Sequence, residues 1–185
     1  MSEEIEDNHG FKEEVEYAGF WIRLGASLID MLVMIPIIAI SMYNQFNIKS
    51  LALLFILTLI SSLYKPLLEF KYGATLGKMA CKIKVVNKDL KGITIDQSFI
   101  RYVPWGIIAM IQLMGATLVF KDPGFASADT FTALGEIGQN IPLAVISNYT
   151  WWVLFIIITI TVVINKKKQG LHDKMAKTLC IKVKK

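Results

Sequence analysis

The chain has 185 residues, 54% of them apolar, and a mean hydropathy of +0.50. Its apolar residues gather into long runs that a water-soluble core does not need, so length and composition exclude an ordinary soluble domain and describe one multi-span membrane domain. The formal net charge of +5 does not mark a nucleic-acid partner, because the lysines cluster beside apolar runs, where charge sets membrane topology.

Residues 1–16 are polar and hold seven of the fifteen acids; they are expected to form an acidic cytoplasmic segment, mobile or lying at the surface, ahead of a membrane domain over 17–185. No basic, signal-like stretch precedes the first apolar run, so that run is expected to remain in the mature protein. The first span is expected over 20–42, between the interface aromatics Trp21 and Tyr43. Pro36 removes the donor that would meet the Leu32 carbonyl, so a bend is expected there. Arg23 is one turn from the start and can snorkel to the headgroups. Asp30 cannot. At 1.5 Å per residue it lies roughly 13–14 Å beyond Trp21, near the middle of a hydrocarbon core about 30 Å thick.

After a short polar loop at 43–50, the second span is expected over 51–68, with Lys65 in its last third and Pro66 and Glu69 following. In the polar stretch that comes next, Gly73-Ala74-Thr75-Leu76-Gly77-Lys78 reads as a turn and a short helix. Its glycines suit a tight turn or close helix contact, and Lys78 is placed to meet lipid phosphate. It is not a phosphate loop: the spacing is one residue short and Met79 follows the lysine. Residues 82–86 alternate polar and β-branched side chains and 93–95 can return, so a β-hairpin is expected over 82–95, outside the membrane.

The third span is expected over 99–120, with Arg101 near its start. Residues 126–137 of the following loop could form an interfacial helix. The fourth span is expected over 142–164, because Trp151 to Ile164 alone would reach only about 20 Å. The tail at 165–185 is basic. Its residues 178–183 could add a strand beside the hairpin, which would bring Cys81 and Cys180 near one sheet; no disulfide is expected. Asn148-Tyr149-Thr150 fits a glycosylation sequon but hugs the bilayer and is discounted.

Four spans place both termini on one side. The loop between spans two and three and the tail hold fourteen lysines, and the opposite loops hold two, Lys49 and Lys121. Both ends and the hairpin are therefore expected to be cytoplasmic, in a bacterial-type cell membrane, with reduced cysteines.

Three motifs in order resemble the RDD family of membrane proteins: Ala18-Gly19-Phe20-Trp21-Ile22-Arg23 with Asp30 seven residues on, Gly73 to Lys78, and Leu171-His172-Asp173 followed by Ala176 and Thr178. The resemblance covers Tyr17 to Val183. It implies that Arg23, Asp30 and Asp173 are the arginine and two aspartates for which the family is named. It also implies a membrane protein for which cation/proton exchange or an accessory role in membrane complexes has been proposed. Lys177 departs from the pattern, standing where many members have glycine.

Arg23 and Asp30 share a helix face but lie about 10 Å apart along it, and arginine leans toward the N-terminus, so no direct pair is expected. Lys65 is the cation expected to compensate Asp30. Arg23, Arg101, His172 and Asp173 are expected to cluster at the inner interface. Asp30 has two readings: a group in a polar path that binds a proton or monovalent cation, or part of a buried network that fixes helix packing. Asp173 likewise reads as a relay with His172 or as a helix cap and ion-pair partner. The fold class expected is all-α, four transmembrane helices with a small cytoplasmic β-element. The leading function is a cation/proton carrier using Asp30 and Lys65, acting as a homo-oligomer because four spans are few for a path. The alternative is a non-transporting accessory protein with a membrane-protein partner. No catalytic residue, metal site, cofactor or enzymatic activity is expected, and the lipid bilayer is the one certain partner.

Overall fold

A computed structural model describes residues 2–6 and 12–183; part of the N-terminal acidic stretch lies outside them. The chain divides into two compact units. One comprises Met1–Val33, Tyr64–Val103 and Ile156–Lys185, the other Met34–Leu63 and Pro104–Phe155. The long helices α3, α5 and α7 contribute residues to both.

The first unit opens with strands β1 (Ser2–Glu6) and β2 (Lys12–Glu16), paired antiparallel. Val15 and Tyr17 alternate along the chain and bury their side chains against Val86 and Leu179, while Glu16 pairs with Lys182 of the basic tail. An acidic stretch that meets a basic one gains a sheet edge and loses its like-charge repulsion. Helix α1 (Phe20–Val33) follows.

Helix α4 (Leu76–Ala80) begins at Thr75, whose hydroxyl accepts from the Lys78 N–H (3.3 Å), an N-cap that satisfies one free donor. Gly73, at φ 72°, makes the turn before it. Strand β3 (Ile83–Asn87) then pairs antiparallel with β4 (Thr178–Lys182), Val85 opposite Cys180.

No hairpin closes over 82–95. The segment 93–95 instead opens helix α5 (Ile95–Lys121). The Gln97 N–H donates to the Thr94 hydroxyl (3.2 Å) and the Thr94 N–H to Gln97 Oε1 (3.1 Å). This reciprocal capping box outcompetes strand pairing. Ile83, Val85, Ile93, Cys180, Ala18 and Ala26 form the core of the unit, with Cys81 packed against it and both cysteines free. Helix α8 (Leu171–Met175) precedes β4. Lys177 between them has φ 54°, the left-handed region where glycine is strain-free.

In the second unit, α2 (Ile35–Tyr43) carries Pro36 in its first turn and bends 50° from α1. The expected loop at 43–50 is also corrected: the helix runs on as a π-helical turn, Asn44–Ile48, and stops at Lys49 (φ 53°). Buried Asn44 bonds both backbone groups of Ser50, each at 2.9 Å, so the reversal into α3 (Leu51–Tyr72) is clamped by one amide. A 3-10 turn (Pro123–Ser127), α6 (Phe131–Gln139) and the start of α7 (Pro142–Ile164) complete this unit. Its core is Val119, Phe125, Ala128 and Leu134.

Helices α3, α5 and α7 are long and apolar enough to cross a bilayer, and the bent pair from Phe20 to Ile48 makes up to four spans. They expose large apolar side chains such as Ile56, Leu59, Met110 and Ile157, a surface suited to lipid rather than water.

Candidate functional site

The polar residues of the first unit form two connected networks. The first surrounds Asp30, about 15 Å along α1 from its first residue. It is 5% exposed. Oδ1 accepts from the Tyr64 hydroxyl and the Gly77 N–H, both at 2.8 Å, and Oδ2 accepts from the Thr75 hydroxyl at 2.7 Å. Two of these donors belong to the start of α4. Such close approach requires Gly77 to lack a side chain: a Cβ there would collide with the Ala26 carbonyl oxygen and lie 2.9 Å from Asp30 Cγ. The glycine is thus explained by backbone proximity rather than by its own torsion angles.

Lys65, the cation expected to compensate Asp30, attracts it as a charged neighbour, and a phenol, a hydroxyl and a backbone amide donate to the carboxylate directly. Burial of a carboxylate is tolerable when donors converge on it, and neutral donors do this as well as a cation.

The second network is a chain of alternating charges. Lys78 pairs with Glu69 Oε1. Arg101 Nε donates to Glu69 Oε2 at 2.8 Å. The Arg101 NH1 group donates to Asp173 Oδ1 and to the Thr178 hydroxyl. Asp173 Oδ2 accepts from Arg23 NH1 at 2.5 Å and from the Gly170 N–H at 3.0 Å. Arg23 also donates to the carbonyls of Ala18 (2.9 Å) and Lys168 (2.7 Å). Glu69, Arg101, Asp173 and Thr178 are all buried. Three cations thus alternate with two carboxylates, and each carboxylate bridges two of them, the arrangement that offsets desolvation.

Asp173 lies outside the membrane-spanning helices. Burial raises its pKa, but the charges of Arg101 and Arg23 overturn that and hold it well below the usual carboxylate range. Burial pushes the neighbouring His172 down to about 4, overriding the pull of Asp173, with Arg101, Arg23 and Lys78 acting in the same direction as burial. The imidazole is therefore neutral at pH 7. Its Nε2 sits 3.3 Å from Asp173 Oδ1, and its buried Nδ1 has no hydrogen-bond partner among the described residues.

Arg23, Arg101, His172 and Asp173 therefore lie together. Asp173 serves both as a cap of α8 and as an ion-pair partner. Lys78 turns inward to Glu69 and not to lipid. Glu69 lies one residue past the span expected over 51–68, and α3 reaches beyond it to Tyr72. With α3 running to Tyr72, Glu69 is a carboxylate inside a membrane helix, four residues from Lys65, and that spacing was the available signal. Thr75 and Thr178 stand in the second and third sequence motifs, while Tyr64 carries no signal beyond being polar near a charge.

The RDD family profile matches residues 17–177. An uncharacterized protein, YckC, of Bacillus subtilis (strain 168) is 35% identical over 96 residues, a segment covering 51% of this chain and 62% of that protein. No solved structure matches.

Proposed function

The chain belongs to the RDD family, and from its geometry we propose that it is an accessory membrane protein, a helical scaffold that holds or regulates another membrane protein, rather than an ion carrier or an enzyme. The observation that carries this reading is the condition of Asp30: buried, with three donors converging on its two oxygens. An ion-handling carboxylate must trade partners during its cycle. Releasing two of these bonds would cost about 3–6 kcal/mol, and the backbone of α4 would have to withdraw from α1. The lysine distribution supports a cytoplasmic position for the basic segments and both termini, where that face would dock its partner. The homo-oligomer expected of a carrier is not required of a scaffold.

The rival is a cation/proton carrier in which Asp30 handles the ion beside Lys65. Reconstitution into liposomes with a pH dye and imposed sodium or potassium gradients separates the two. A scaffold gives no flux above empty liposomes, for the wild type as for Asp30→Asn, and cross-linking in native membranes captures a membrane protein. Wild-type flux that disappears in folded Asp30→Asn would establish the carrier instead.

A further inference from the structure

We propose that a cleft of about 350 Å³ beside the end of α3 binds one anionic phospholipid. Lys82 and Lys84 hold its phosphate, and Tyr72, Met79, Ile83 and Val183 cover part of an acyl chain. Tyr72 is the last residue of α3, a helix able to cross the bilayer, so the cleft opens where a headgroup and the start of its chain meet protein.

Backbone bonding fixes the turn that carries Lys82, and packing against Gly73 orients the stem of Lys84. The Lys82 carbonyl accepts from the Val183 N–H at 2.8 Å, which ties the end of β4 to the turn that carries Lys82. The stem of Lys84 lies over the bare backbone of Gly73, where a Cβ would stand 2.5 Å from Lys84 Cε. A third cation is nearby: Lys71 Nζ sits 5.3 Å from the Tyr72 ring centre.

Charge points the same way. Lys49, Lys78 and Lys182 are neutralised by carboxylates. Among the described residues Lys82 and Lys84 have no ion-pair partner, and no acid lines the cleft. Unmatched ammonium groups above an apolar wall suit a ligand that is anionic at one end and hydrocarbon at the other. Free phosphate would leave Met79 and Val183 uncovered, and a neutral lipid would leave the lysines unmatched.

The test uses the full chain in detergent micelles, equilibrated with phosphatidylglycerol and phosphatidylcholine and read by native mass spectrometry. The wild type is expected to retain phosphatidylglycerol preferentially. Lys82→Gln with Lys84→Gln is expected to weaken that retention about 30-fold, about fivefold per lysine, and to leave phosphatidylcholine unchanged. Lys88→Gln with Lys91→Gln, equally basic but outside the cleft, keeps wild-type retention. Equal loss in both double variants overturns the site in favour of diffuse attraction, and displacement by millimolar inorganic phosphate overturns it in favour of a free-anion site. Salt titration of the wild type needs no variant: phosphatidylglycerol retention falls with ionic strength while phosphatidylcholine retention holds, and parallel falls contradict the proposal.

Discussion

Arg101→Met removes the member of the charge chain that bridges both carboxylates. Its guanidinium donates to Glu69, Asp173 and Thr178, and the residue is 3% exposed. Methionine fills much of the volume but leaves Glu69 bonded to Lys78 and Asp173 to Arg23 and the Gly170 N–H. Removing one partner of a buried pair costs about 3–5 kcal/mol. Each carboxylate keeps one cation here, which places the loss in the lower half of that range. At about 2–4 °C per kcal/mol for a chain of this length, Tm falls about 10 °C. Thermal unfolding in detergent with a thiol-reactive dye reads this directly, since Cys180 is fully buried and Cys81 packs against the same core. Adding Glu69→Gln neutralises the weakened carboxylate and is expected to recover about 1–2 kcal/mol of the loss. A Tm within 2 °C of wild type, by a reading this sensitive about 1 kcal/mol, or a double variant worse than the sum of the singles, refutes a stabilising charge chain.

Gly77→Ala drives a methyl group into the Ala26 carbonyl and against Asp30; backbone cannot move aside cheaply, so a loss of about 3 kcal/mol is expected in the same unfolding assay. Arg23→Lys keeps the charge but cannot serve Asp173, Ala18 and Lys168 at once, and about 2 kcal/mol is expected to go. The pH dependence follows from His172, neutral when folded with a pKa pushed to about 4. The unfolded chain takes up its proton near pH 6.5 and the folded chain refuses it. Stability is therefore complete above that pH and falls as pH drops toward 4, by up to about 3 kcal/mol. His172→Asn flattens this window in a Tm-versus-pH series. Asp173, held low, adds stability that is present above about pH 4 and is lost as the pH falls further.

Much of the frame was legible because apolar runs and prolines act locally. The last candidate span, α7, begins at Pro142 as length required, and the bent pair α1–α2 breaks beside Pro36. The meeting of Arg23, Arg101 and Asp173 was legible from depth, since each lies near a helix end where a lone charge needs a partner. Pairing over long sequence distance was less so. Residues 82–86 read as a strand, yet their partner lies near residue 180 rather than at 93–95, because the Thr94–Gln97 box commits that segment to a helix. The N-terminal strands, SEEIE and KEEVE, hold one apolar residue each, too few to show alternation, and Glu16 meets Lys182 of the tail only in the folded chain. Asp30 was recognised as the deep carboxylate, but its donors were not: backbone amides carry no residue signature, and nothing local to Thr75 or Gly77 says that α4 reaches α1.

The most direct measurement is a double-mutant cycle on that contact. Asp30→Asn and Thr75→Val are made singly and together and their unfolding free energies compared. Thr75 also caps α4 through the Lys78 N–H, and the cycle removes that separate contribution. If Asp30 latches α4 to α1, the two residues couple by about 1.5–3 kcal/mol, as a hydrogen bond to a buried charge should. Effects that add within about 0.5 kcal/mol would mean that Thr75 does not hold Asp30, and the structural role assigned to this carboxylate would fail.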